Sequence, residues 1–322
     1  MSRDLSGPVG VISNPGSGHN RDQFEKIRQR LESSPAIVHH CTDSIDDIPA
    51  ALGAMSDAGV SVLAINGGDG TASAILGQLF ESQLFSSTPV IAILPGGTAN
   101  MNAGDIGISG SLARAVDRFC DWCEGDRNSD YKLKRRALLK VSSPDSGSEY
   151  YGMFLGAGAV LQGTDYAHRE IHSRGLRDDF GLVLSVLRTV WGILRSDPEF
   201  MQHVAMDLAL DGAPSQRHDT LILAVSTLQR LAFGMRPFWG EGDGELRVTL
   251  MEQGCTRFAS TFLSIARGKP NRNAVPGSGY YSYNARNLHL ALQGRVNLDG
   301  EIIVSDSGLD ISLTPTLEFL SL

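Results

Sequence analysis

The sequence predicts an N-terminal α/β domain with a parallel sheet, followed by a mainly antiparallel C-terminal domain of β-sandwich type. Three observations carry this. Short apolar runs alternate with helix-period segments over about the first 130 residues. Three of those runs end in glycine turns, at Asn14, Gly67 and Gly96. Beyond residue 130 the apolar runs become short and are separated by turn signals. A chain of 322 residues suits two domains of ordinary size, and the composition shift places the boundary at 1–134 and 135–322. The apolar end, Leu317–Leu322, is expected to return to the first domain.

The elements follow in order. Val9–Ser13 reads as a strand running into Asn14-Pro15-Gly16-Ser17-Gly18. Phe24, Ile27 and Leu31 sit at helical spacing, which predicts a helix over 22–31. A second strand is expected near 36–40 and a helix over 46–58. Val60–Ile65 is an apolar run that ends in Gly67-Gly68-Asp69-Gly70-Thr71, and a helix over 71–80 should follow. Val90–Leu94 ends in Pro95-Gly96-Gly97-Thr98-Ala99-Asn100, with a helix expected over 111–123. In the second half, strands are expected near 137–142, 150–156, 203–210, 221–226, 245–251, 287–292, 296–298 and 301–304. One helical stretch, 178–194, interrupts them. It holds the longest apolar stretch, Phe180 to Leu194 interrupted by Arg188, and is a candidate border for an apolar ligand.

Composition narrows the function. Hydrophobic residues are 42% and charged residues 20%, as in a packed globular protein. The net charge of −8 speaks against a nucleic-acid partner and against broad adhesion to anionic membranes, and leaves room for a small basic patch. Four cysteines are too few for a disulfide scaffold, and Cys120-x-x-Cys123 lies on a predicted helix without a second pair, so reduced structural thiols are expected. Residues 1–8 show no apolar signal core, and no apolar run reaches about 18 residues. The expectation is a cytoplasmic protein.

Parallel strands bring their carboxyl-end turns to one sheet edge, where ligands bind. A strand, a glycine turn and a helix N-terminus together present N–H groups to phosphate. Asp69 adds a carboxylate able to hold Mg²⁺ or orient a hydroxyl. Arg21 and the Arg135/Arg136 pair are candidate cations for phosphate. Each feature also has a plainer reading. The aspartate turn can be a sharp strand-to-helix connection, and the arginines can be solvated. Asp243-Gly244-Glu245 and Asp299-Gly300-Glu301 can each be a hairpin turn.

Taken together, the chain resembles the diacylglycerol kinase catalytic-domain family, which includes bacterial lipid kinases and sphingosine and ceramide kinases. The resemblance rests on 14–18, 67–71, 95–100, Phe233-Gly234-Met235-Arg236, 243–246 and Leu298-Asp299-Gly300-Glu301, in the family's order. The Gly-Gly-Asp-Gly-Thr element is shared with NAD kinases and 6-phosphofructokinases. The Asp-Gly-Glu near the C-terminus and the Asn-Pro-x-Ser-Gly at the start point to the lipid branch.

The resemblance implies ATP-dependent phosphorylation of a lipid hydroxyl in a cleft between a nucleotide-binding domain and a β-rich lipid domain. It implies nucleotide contacts from Asn14, Ser17, Gly18, Gly67, Gly68, Asp69, Gly70, Thr71, Gly97, Thr98 and Asn100. Asp69 would bear on Mg²⁺, and Glu301 would be the general base, with Asp299 beside it. ATP and Mg²⁺ are the implied cofactors, and a lipid met transiently at a membrane surface is the implied partner. A homodimer stays open. Two departures stand out. Ser73 and Ala74 occupy the places of the family's Asn-Glu, and Met101-Asn102-Ala103 those of its Asp-Phe-Ala. An NAD-kinase-like enzyme and a non-catalytic nucleotide or lipid sensor are the alternatives.

Overall fold

The computed structural model describes residues 5–127, 130–161, 192, 195 and 204–322. The chain divides into two units, Met1–Arg136 with Thr316–Leu322, and Ala137–Pro315.

In the first unit β1 (Val9–Ser13), β2 (Ile37–Cys41), β3 (Val62–Gly67) and β4 (Val90–Pro95) alternate with α1 (Asn20–Glu32), α2 (Ile48–Asp57) and α3 (Asp69–Ser82). Two helices, α4 (Met101–Asp105) and α5 (Leu112–Glu124), follow β4. The four strands are parallel in the order β2-β1-β3-β4. Every residue of β1, β3 and β4 is buried, as central strands covered on both faces require. On one face Val9, Val11, Val62 and Ala92 pack with Ile27 and Leu31 of α1 and Val116 and Phe119 of α5. On the other, Gly10 leaves room for Met55 of α2, which a Cβ would overlap. Arg30 of α1 ties the outer helices together through Asp121 at 2.8 Å and Glu124 at 2.9 Å.

Two further strands complete this sheet. The chain's end, β17 (Leu317–Ser321), pairs in parallel with β4 and antiparallel with the edge strand β5 (Lys132–Arg136). Lys132, Lys134, Arg135 and Arg136 therefore lie on an edge strand of this sheet. Its charges protect an open sheet edge from pairing with another chain. Cys120 and Cys123 lie buried on α5, and burial pushes their thiols up to about 11 and about 12, which leaves them inert.

The second unit holds β6 (Leu139–Ser143), β7 (Ser148–Gly152), β8 (Phe154–Gly158), β9 (Val204–Leu210), β10 (Gln216–Ser226), β11 (Leu246–Glu252), β12 (Tyr280–Ala285), β13 (Leu288–Leu292), β14 (Gly294–Leu298), β15 (Glu301–Ser305) and β16 (Leu309–Leu313). All their pairings are antiparallel. The long strand β10 is the joint. Gln216–Thr220 pairs with β9, Ile222–Ser226 pairs with β8, and the register shifts between them. One continuous sheet thus wraps a main core that includes Leu139, Leu155, Leu223, Leu250, Leu290 and Ile311. The result is sandwich-like without being two separate sheets. The expected strand over 150–156 is two strands, and β12, β16 and the helix α6 (Phe258–Ala266) are additional. The helix expected over 178–194 lies outside the described residues.

Candidate active site

The three glycine turns leave the same edge of the first sheet, because β1, β3 and β4 are parallel and in register. They are packed on one another. A Cβ on Gly97 would overlap the backbone of Gly68. One on Gly18 would meet the backbone of Gly97 at 2.9 Å, and one on Gly96 would meet the Asn20 amide at 2.9 Å. None of these glycines has positive φ. Close approach, rather than left-handed backbone, is what requires glycine here.

Most of the polar side chains singled out in these turns have partners inside the protein. The Asn14 side-chain carbonyl accepts from the Gly16 N–H at 2.9 Å, and its amide donates to Thr71 Oγ1 at 3.0 Å. Ser17 Oγ lies 3.0 Å from the carbonyls of Asn14 and Gly96. Asn100 sits at φ +48°, where asparagine is tolerated, and closes on Gly97 through both its amide and its carbonyl. Asn14, Ser17 and Asn100 thus brace the turns.

Asp69 heads α3, with Gly68 as the N-cap. Its carboxylate accepts the backbone N–H groups of Met101 at 3.1 Å and Asn102 at 3.0 Å. It caps α4 from across the site and joins the second turn to the third. Burial raises its pKa, more than those two N–H bonds lower it.

What stays open to a ligand is mainly backbone. The N–H groups of Asp69, Gly70 and Thr71 form the first turn of α3 and have no carbonyl one turn earlier to pair with. Gly70 is exposed, and Gly68, Thr71 and Thr98 are half-buried. Arg21 is exposed, its guanidinium 3.5 Å from the Gly16 carbonyl. These donors suit a phosphate. Asp69 is the only carboxylate within 14–21, 66–71 and 95–102. Among the described residues no three His, Cys, Asp or Glu side chains cluster to hold a metal. Mg²⁺ fits here only as an ion carried chiefly by phosphate oxygens and water, with Asp69 offering a remaining lone pair. Arg136 is drawn to Asp105 at 3.3 Å, and Arg135 is exposed on β5.

The sequence reading passed over Asn20 and Asn66. The Asn20 amide donates to the Asn14 carbonyl at 2.8 Å and to the Asn66 carbonyl at 3.1 Å. The Asn66 amide donates to Ser13 Oγ at 3.1 Å. For Asn66 the signal available in the sequence was an asparagine closing an otherwise apolar run.

In the second unit, Asp299 and Gly300 are the two loop residues of the β14–β15 hairpin, at φ +48° and +102°. Asp299 is buried and accepts the N–H groups of Met153 at 2.6 Å and Phe154 at 3.1 Å. It anchors the hairpin to the start of β8. Glu301, the first residue of β15, is exposed as a residue, and the protein around its carboxyl still holds it above the usual carboxylate range. Gly240, Gly242 and Gly244 lie flat against the β12 backbone, where a side chain would overlap Tyr283, Asn284 and Ala285. The Asp243 motif is thus a close-packed approach to β11.

Residues 8–125 match the family model for the diacylglycerol kinase catalytic domain. A solved structure described as a candidate diacylglycerol kinase from Bacillus anthracis str. Sterne is 16% identical, with a TM-score of 0.65 over 98% of this chain and 96% of its own. A second, described as a diacylglycerol kinase from the same organism, is 17% identical, with a TM-score of 0.61 over the same shares. An NAD kinase from Archaeoglobus fulgidus in complex with ATP is 12% identical, with a TM-score of 0.45 over 97% of this chain and 92% of its own. No curated protein matches the sequence.

Proposed function

We propose that the chain is an ATP-dependent kinase that phosphorylates the hydroxyl of a lipid, diacylglycerol or a related lipid alcohol. The observation that carries this is the locking of three glycine turns into one edge, with the first-turn N–H groups of α3 left to bind phosphate. The family match over 8–125 supports ATP as donor, and the Asp-Gly-Glu hairpin supports the lipid branch.

In this reading Gly18, Gly67, Gly68, Gly70, Thr71, Gly97 and Thr98 line the phosphates through backbone and hydroxyl groups. Arg21 adds charge, and Asn14, Ser17 and Asn100 keep the turns in place. Mg²⁺, when bound, neutralises phosphate charge, with Asp69 as its one protein carboxylate. Glu301 takes the proton of the lipid hydroxyl as its oxygen bonds to the γ-phosphorus, and the electron pair of the broken bond leaves with ADP. A raised pKa suits that task, and Asp299 positions Glu301 through the hairpin. A lipid acceptor sets the reaction at a membrane surface, from the cytoplasmic side. Among the described residues no helix is long and apolar enough to cross a membrane.

The test is transfer of label from γ-labelled ATP to diacylglycerol in mixed micelles. Labelled lipid supports the reading, and labelled NAD in its place would overturn it. A second reading, a nucleotide sensor, rests on Ser73 and Ala74 standing where the family has Asn-Glu. It expects nucleotide binding with no labelled product.

A further inference from the structure

Two segments of the second unit stand out by charge. Residues 228–238 and 256–275 contain Arg230, Arg236, Arg257, Arg267, Lys269 and Arg272 and no acidic residue, in a chain whose net charge is −8. All six cations are exposed. The segments are joined in space, because the Arg236 N–H donates to the Ala266 carbonyl at 2.9 Å and Gly268 packs on the Arg236 side chain. Among the described residues none of the six is in an ion pair.

Large apolar side chains emerge among these charges. Phe233, at the tip of a short 3₁₀ turn, is 55% exposed, and Leu263 of α6 is 47% exposed. Phe233 also sits at φ +58°, ψ +19°, a left-handed conformation that an aromatic residue rarely adopts. The folded unit gains no burial from that strain. Phe258 and Phe262 stack with ring centroids 5.4 Å apart and pack, as Trp239 does, against the buried cluster that holds Ile265. The tips, Phe233 and Leu263, are bare.

We propose that this face, formed by the 230–236 turn, α6 and the 267–272 loop, docks on an anionic lipid bilayer. Charge complementarity selects that occupant, since six cations without a carboxylate match a surface of lipid phosphates, and Phe233 and Leu263 are placed to enter the headgroup region. The inference rests on the lipid-kinase reading for its purpose: it names the surface by which the enzyme reaches an acceptor held in a membrane.

The experiment is sedimentation of the full chain with phosphatidylcholine vesicles, with and without phosphatidylglycerol, in the absence of ATP. The expected result is partition onto the phosphatidylglycerol vesicles that weakens as salt rises. The double variant Lys269→Gln/Arg272→Gln should partition roughly thirtyfold more weakly, from about 1 kcal/mol per cation. Its turnover of a dispersed short-chain diacylglycerol should be unchanged. Phe233→Asn should also weaken partition with no loss of thermal stability, because asparagine tolerates the left-handed conformation. Equal binding to both vesicle types, or wild-type partition by the double variant, would overturn the surface. Turnover of the short-chain lipid without vesicle partition would remove the surface and leave the kinase. Partition with no lipid phosphorylated would remove the kinase reading and leave the surface.

Discussion

The Asp69 carboxylate accepts the backbone N–H of Asn102 at 3.0 Å, and beside it that of Met101 at 3.1 Å. The residue heading the helix after β3 therefore caps the helix after β4. The prediction is that Asp69→Ala loses stability as well as activity. Two N–H groups lose a charged acceptor, which costs roughly 2–4 kcal/mol. Thermal unfolding reads this directly. An unchanged melting temperature with lost turnover would mean that Asp69 acts on the metal alone.

Gly97 and Gly16 make a matched pair. Alanine at 97 would overlap the Gly68 backbone, whereas at 16 the nearest atom is Asn14 Oδ1 at 3.4 Å. Gly97→Ala should cost about 2–3 kcal/mol and sharply weaken nucleotide binding, because neither backbone can yield. Gly16→Ala should change both by little. Denaturant unfolding with nucleotide titration separates the two outcomes.

The parallel sheet was legible because β1, β3 and β4 are apolar runs that end in glycine turns, and because α1, α2, α3 and α5 keep helical spacing. β5 was not, since Lys132–Arg136 shows charge rather than alternation and becomes a strand only when Leu317–Ser321 pairs with it. Tyr280–Ala285 mixes aromatic and polar residues because its Tyr281 and Tyr283 are only partly buried against the core. Motif spacing located Asn14, Asp69 and Asp299 but said nothing of where their side chains point. The Asn14 amide reaches Thr71 of the next turn, Asp69 the N–H groups of Met101 and Asn102, and Asp299 those of Met153 and Phe154, and such partners are set by tertiary packing.

The Glu301 carboxyl is held above the usual range by burial, so the folded protein favours its protonated form. A base must be ionised. Activity should therefore fall on acidification at a pH above that of an ordinary glutamate, and Glu301→Gln should remove both that acid limb and most of the turnover. The linkage has the matching sign. Any stability from this shift is present at low pH and is lost as pH rises through the raised pKa, so Glu301→Gln should not destabilise the protein at neutral pH. A pH–rate profile beside a melting curve checks both.

Asp299 should behave in the opposite way. Asp299→Ala removes the acceptor for the Met153 and Phe154 N–H groups and puts alanine at φ +48°. A stability loss of about 3 kcal/mol is expected. Asp299→Asn should retain part of it. A stable Asp299→Ala with lost turnover would instead assign Asp299 to the chemistry.

The most direct measurement is transfer from γ-labelled ATP, with Mg²⁺, to a panel of diacylglycerol, monoacylglycerol, ceramide, sphingosine and NAD, run with wild type and Glu301→Gln. The account predicts label in diacylglycerol or a related lipid alcohol with wild type, and almost none with the variant. Label in NAD, or no product from a protein that still binds ATP, would contradict it.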